Sequence, residues 1–136
     1  MFKVIVQKEW YSVEQCEANE DTLYVFGDNS IQVGMVGQAV IRNCVNSFGI
    51  PTKKFPSMSE NSFYNDGEHD KMSIMLALTI LSNRVVKGRY SKLVFPYDGL
   101  GTGLSQMPTR SPILYKYLND ELELMFGVKL GFPRDN

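Results

Sequence analysis

The chain has 136 residues, 43% of them hydrophobic and 21% charged, which is the size and make-up of one globular domain and excludes disordered, collagen-like and coiled-coil classes. Fourteen Lys and Arg against fifteen Asp and Glu leave a net charge of −1, so no long-range positive field gathers a polyphosphate backbone and general DNA or RNA binding is not expected. Cys16 and Cys44 lack CxxC or Cys/His ligand spacing, which argues against a structural zinc, and no window approaches the roughly 20 apolar residues of a membrane span. The expectation is one domain with one core, in the cytoplasm, with no metal, no cofactor and no membrane partner.

In chain order, Phe2 to Val6 have the β-branched and aromatic character of a first strand. Ser12-Val13-Glu14-Gln15 follows the capping-box pattern and predicts a short helix to about Asn19. Leu23-Tyr24-Val25-Phe26 is a second, interior strand closed by Gly27. A loop with Gly34 and Gly37 follows, and Val36, Ala39, Val40 and Cys44 then fall at helical spacing. Phe48 to Thr52 resume extended character, and Pro51 confines that strand to a sheet edge or a strand end. From Lys53 to Asp70 the chain is polar and punctuated by Pro56 and Gly67, a long excursion of the kind that often carries function.

Ile74, Leu78, Leu81 and Val85 mark a strong helix that ends before Gly88. Leu93-Val94-Phe95-Pro96 is another buried strand and opens onto a second glycine-containing loop. Ser111 followed by Pro112 predicts an N-cap and first helical residue, with Leu114, Leu118, Leu122 and Met125 as the apolar stripe and Gly127 as the stop. A last strand is expected around Val128 to Leu130. Strands alternating with helices make an α/β protein whose largely parallel or mixed sheet is covered on both faces. Ligands of such sheets sit beyond the carboxyl ends of strands, where the loops after Phe26 and Phe95 should be neighbours at one mouth.

Gly99, Gly101 and Gly103 fall within five positions. Glycine permits positive φ and lets consecutive N–H groups point into one concavity that suits a phosphate; the other reading is a tight strand-to-helix connection. No Lys-Ser/Thr ending follows, so P-loop chemistry is unsupported. Thr102 offers a hydroxyl donor. In the first loop Asp28 and Asn29 suit a base or ribose, or else cap the loop as an Asx-turn. Gly34 and Gly37 open a helix whose free N–H groups suit a second phosphate.

These two segments, Gly27-Asp28-Asn29 through Gly37-Gln38-Ala39-Val40-Ile41 and Leu93 through Gly99-Leu100-Gly101-Thr102-Gly103-Leu104, resemble the two ligand loops of macro domains, and the likeness spans residues 23–126. Ile50-Pro51-Thr52-Lys53 resembles a strand ending in the branch of ADP-ribosyl-glutamate hydrolases, and the pattern VFGDN…GQA…GIPTK is similar to a small phage-associated subgroup, which would place the protein in a host cytoplasm. The resemblance implies a three-layer α/β/α macro-domain-like fold over residues 1–136, with a mixed, mostly parallel sheet and a cleft for ADP-ribose or a derivative, free or carried on a macromolecule. It makes Asp28 the candidate for adenine recognition or for a loop-position carboxylate, and Asn29 the candidate for a ribose contact. Gly34, Val36, Gly37 and Gln38 would line the diphosphate from one side; Gly99, Leu100, Gly101 and Gly103 would line it from the other, with Thr102 near the distal phosphate or ribose.

The chain departs from the family's hydrolases. Arg42 stands where the glutamate-reversing branch has a lysine, Ser105 and Gln106 where it has an acid, and the doubled asparagine of the commoner branch is replaced by Asp28-Asn29. Binding is therefore better supported than turnover. If hydrolysis of an ADP-ribosyl bond or of a 1″-phosphate occurs, Asp28 and Asp98 are the available catalytic acids. The alternative is a protein-interaction module with purely structural glycines. His69, within Asp66-Gly67-Glu68-His69-Asp70, reads as part of a solvated turn. Lys53 and Lys54 either face phosphates or keep an edge soluble. Phe63 and Tyr64 either stack on a ligand ring or anchor their loop, as do Trp10 and Tyr11.

Overall fold

An uninterrupted apolar run such as Leu23-Tyr24-Val25-Phe26 is stable as a strand where both of its faces are covered. In the computed structural model, which describes residues 1–131, that run lies in β2 (Thr22–Asn29). The other strands are β1 (Lys3–Gln7), β3 (Ser47–Lys53) and β4 (Lys92–Pro96). Their order is β1-β4-β2-β3 and every pairing is parallel. The antiparallel component among the described residues is an isolated bridge between Lys53 and Phe63, so no mixed sheet forms. Pro51 sits in β3, at the sheet edge that its missing N–H requires.

Alternation along the strands sorts side chains into two layers. Leu23, Val25, Leu93 and Phe95 face the helices α2 (Glu68–Lys87) and α4 (Pro112–Phe126), which contribute Ile74, Leu78, Leu81, Leu114, Leu118 and Leu122. Tyr24, Phe26 and Val94 face the other way, toward Cys16 of α1 (Val13–Ala18) and toward Ala39 and Ile41. The result is a three-layer α/β/α arrangement with a separate apolar cluster on each sheet face, where the sequence suggested one core. Among the described residues no helix is long and apolar enough to cross a membrane.

Local signals hold where the chain satisfies them locally. The Ser12 side chain accepts the Gln15 N–H at 3.1 Å and caps α1. Gln15 does not return the bond of a capping box; its amide pairs with Gln7 at 2.6 and 3.0 Å. Helix α4 starts at Pro112 as expected, but the Ser111 hydroxyl is buried without a partner among the described residues. Asp66, 48 residues earlier, accepts the Leu114 N–H at 2.9 Å instead. Asp66→Ala should therefore cost about 1 kcal/mol as a lost cap, whereas Ser111→Ala should be neutral or slightly stabilising because no bond is lost. Urea unfolding of both variants checks the contrast.

Four expectations are corrected. The segment after Gly37 forms only a five-residue 3-10 turn, Gly37–Ile41. The Asn46 amide donates to the carbonyls of Cys16, Asn19 and Thr22 at 3.0, 3.1 and 2.9 Å, drawing the chain into β3 before a helix can propagate. Val128 and Leu130 are buried but join no ladder, because Gly127 in a left-handed conformation ends α4 and directs them into the core. Met125 lies outside the buried stripe of α4. The stretch read as a solvated turn is the start of α2, with Asp70 buried and accepting the Asn65 N–H at 2.9 Å.

Cys16 is fully buried, and burial, followed by the adjacent Cys44 thiol, pushes its pKa from 9.0 up to about 12. Between those values the unfolded thiol ionises while the native one keeps its proton, so this group's contribution to stability is lost as pH rises through the window. Cys16→Ala should flatten that part of the alkaline stability profile. In the native protein at pH near 9, alkylation of Cys16 should await opening of the fold.

Candidate functional site

The ladder between β2 and β4 runs only from Thr22–Lys92 to Tyr24–Val94. Beyond it the two strands separate. The chain leaving β2 goes to the face of Ala39 and Ile41, and the chain leaving β4 goes to the face of Met107 and Leu114. Adjacent strands whose connections lead to opposite faces form a topological switch point, the place where open α/β sheets accept ligands. Tyr11 braces the separation: its hydroxyl donates to the Val25 carbonyl at 2.8 Å and reaches the Val94 carbonyl at 3.4 Å.

A cleft of about 630 Å³ opens at this point, within the range of small-molecule sites. Both predicted loops line it, through Asp28, Asn29, Gly34, Val36, Gly37 and Gln38 on one side and Asp98, Gly99, Gly101, Thr102 and Gly103 on the other. They meet at its floor, where the Cβ absent from Gly27 would lie 3.6 Å from the Gly101 nitrogen. Leu100 is the exception. Its side chain is buried in the core beside Met107 and Leu114 and does not line the cleft.

Both carboxylate oxygens of Asp28 are engaged. Its Oδ2 accepts Nη1 of Arg42 at 2.7 Å, and its Oδ1 accepts Nη2 at 2.6 Å and the Asn29 N–H at 2.8 Å. Arg42 Nε also donates to the Gly34 carbonyl at 2.8 Å, and the guanidinium lies over the Phe26 ring. Gly49 makes the arrangement possible, since a Cβ there would sit 2.5 Å from Asp28 Oδ2. These bonds give Asp28 a part in positioning the loop. Asp98 is exposed and lines the cleft.

Asn29 takes the loop-closing alternative. Its amide donates to the Val33 carbonyl at 2.8 Å and accepts the Val33 N–H at 3.3 Å. Thr102 likewise donates its hydroxyl to the Asp98 carbonyl at 2.7 Å, and Gln38 Oε1 accepts the Tyr11 N–H at 2.8 Å. The 3-10 turn at Gly37 is too short to act as a helix N-terminus, so the second phosphate site expected there is not formed. In the other loop, by contrast, the N–H groups of Gly101, Thr102, Gly103 and Leu104 donate to no acceptor among the described residues.

Charge in the cleft is unevenly balanced. Asp28 and Arg42 cancel, and the other charged residues lining the cleft are Asp98 and Lys53. Lys53 is buried; its Nζ donates to the Ser57 carbonyl at 2.7 Å and lies 4.6 Å from the Phe63 ring centroid. Among the described residues no carboxylate pairs with it. Burial, and then the positive charge of Arg110, lower its pKa from the ordinary lysine value. The Thr52 and Ser105 hydroxyls meet at 2.6 Å beside it, tying β3 to the second loop.

The aromatic pairs separate cleanly. Phe63 and Tyr64 are buried anchors, Phe63 also under Arg110 and Tyr64 bonded to the Ser30 hydroxyl at 2.6 Å. Tyr11 is core, whereas Trp10 is 68% exposed and lines the cleft.

Comparison with known proteins finds a match over residues 6–121 to the family described as "Family of unknown function (DUF7831)". The chain belongs to this family. No curated protein and no solved structure matches it. The matched span contains Trp10, both cleft loops and Lys53. Arg42, Gly49 and Lys53 acquire their roles only through packing; the signals in the sequence were a basic residue after the first glycines and a glycine in an edge strand.

Proposed function

We propose that this protein binds ADP-ribose or a closely related derivative in the cleft between β2 and β4, without turning it over. The observation that carries this reading is the run of backbone N–H groups without acceptors in Gly101–Leu104, lying at the switch point of a parallel sheet. Lys53 supports it as a buried ammonium that an anionic ligand would neutralise. Resemblance of both loops to macro domains supports the choice of ligand, and the engagement of Asp28 by Arg42 supports binding over hydrolysis. A cytoplasmic setting, of the host if the protein is phage-borne, is in keeping with the free Cys16 and Cys44.

Titration calorimetry and thermal shift with ADP-ribose test it. A ligand held at a hundred times its Kd adds about 2.7 kcal/mol to native stability, a rise of roughly 8 °C in Tm for a domain of this size. A folded protein that returns neither heat nor shift with ADP-ribose, its 1″-phosphate or cyclic derivatives would overturn the reading and leave the glycines a purely structural role.

A further inference from the structure

Trp10 is the largest side chain of the protein and its sole tryptophan, yet it is left 68% exposed. Burial of an indole contributes more than that of almost any other side chain, so its exposure at a cleft calls for an account. The residue is not on a loose segment. Its neighbour Tyr11 is buried and fastened through its hydroxyl to two strand carbonyls and through its N–H to Gln38, and Ser12 then caps α1. The indole is thus presented to the cleft from a fixed backbone. Across from it stands Gly37, whose missing Cβ would lie 3.5 Å from the six-membered ring. Val36, immediately before, is 77% exposed and also lines the cleft.

Sheet order fixes where this aromatic surface lies relative to the rest. Trp10 follows β1, the glycine loop follows β4, and Lys53 ends β3. The two outer strands are three inter-strand spacings apart, roughly 14 Å, with the acceptor-free N–H groups between them. An apolar aromatic plate at one end, backbone donors in the middle and an ammonium at the other end describe a ligand with a planar ring, a central phosphoryl portion and a polar far end.

We propose that Trp10 is the stacking platform for the base of the cleft's ligand, which lies base-first against the β1 end, with its phosphates on residues 101–104 and its far end toward Lys53. This rests on the binding reading above and adds to it a direction and a ring subsite. Stacking on an aromatic side chain tolerates any base, because every base has a π-face; the subsite therefore selects for a flat heterocycle rather than for adenine alone.

The single tryptophan makes the test direct. ADP-ribose, ribose 5-phosphate and inorganic pyrophosphate are each titrated by calorimetry into the wild type, Trp10→Phe and Trp10→Ala, and by tryptophan emission into the wild type, with circular dichroism confirming that each variant is folded. The expected result is heat together with quenching for ADP-ribose, and no quenching for the two probes that carry no base. Trp10→Phe should bind within a few-fold of the wild type and Trp10→Ala on the order of 10-fold or more weaker. Heat from ADP-ribose with unchanged emission, or Trp10→Ala binding as tightly as the wild type, would overturn the stacking proposal and leave the binding reading intact. No heat from ADP-ribose would remove both.

Discussion

Arg42→Ala should lower the unfolding free energy by about 3 kcal/mol, read as a fall of roughly 10 °C in Tm. The side chains of Arg42 and Asp28 are 15% and 4% exposed, so the pair is not one of the solvated surface bridges that contribute little. Without the guanidinium, Asp28 keeps only the Asn29 N–H, and it has nowhere to go, because its carboxylate lies against the β3 backbone at Gly49. A buried carboxylate without its counter-charge is the costly case. The Gly34 carbonyl loses its Arg42 donor in the same variant, so the wall of the cleft loosens and ligand affinity should fall with stability. Adding Asp28→Asn to Arg42→Ala removes the orphaned charge and should recover about half of the loss. A single variant within about 1 kcal/mol of wild type in urea unfolding would mean that the pair behaves as a surface bridge after all.

The same residues show where sequence reading succeeds and where it stops. Strand β2, strand β4, and helices α2 and α4 were legible because periodicity and end signals are local: Ile74 to Val85 at helical spacing, Gly88 and Gly127 at the ends. Convergence of the two glycine loops was legible too, since a parallel sheet places the exits of its strands on one edge. The partners of polar groups were not. Nothing near Asp28 announces that a guanidinium 14 residues away will occupy both of its oxygens, and nothing near Leu114 points to Asp66. Helical spacing after Gly37 was overridden by one amide at Asn46 with three distant carbonyls to satisfy. The burial of the Leu100 side chain was not legible for a related reason: a loop that cradles a ligand with its backbone still needs an anchor, and the apolar residue among the glycines supplies it.

That division of labour within the loop sets the second large effect. Gly101→Ala should cost about 3 kcal/mol, while Gly103→Ala should change stability by less than about 0.5 kcal/mol. Gly101 has φ +80°, and a Cβ there would fall 2.4 Å from the Met107 sulfur and 2.8 Å from its Cγ. A side chain in the left-handed region costs roughly 1–2 kcal/mol, and forcing a methyl into a packed core costs about 1–3 kcal/mol more. Met107 cannot yield cheaply, being fully buried at the start of α3 (Met107–Arg110) and bonded through its N–H to the Gly101 carbonyl at 2.9 Å. Gly103 meets nothing within 4 Å and its φ is not positive. The purely structural account of the loop assigns Gly103 no role, so its alanine variant should then leave ligand titrations untouched. If the N–H groups of residues 101–104 hold a phosphate, a methyl at that open position meets the ligand instead, and affinity falls while Tm stays. Equal stability loss at both positions would sink the assignment of Gly101 to packing and Gly103 to the cleft.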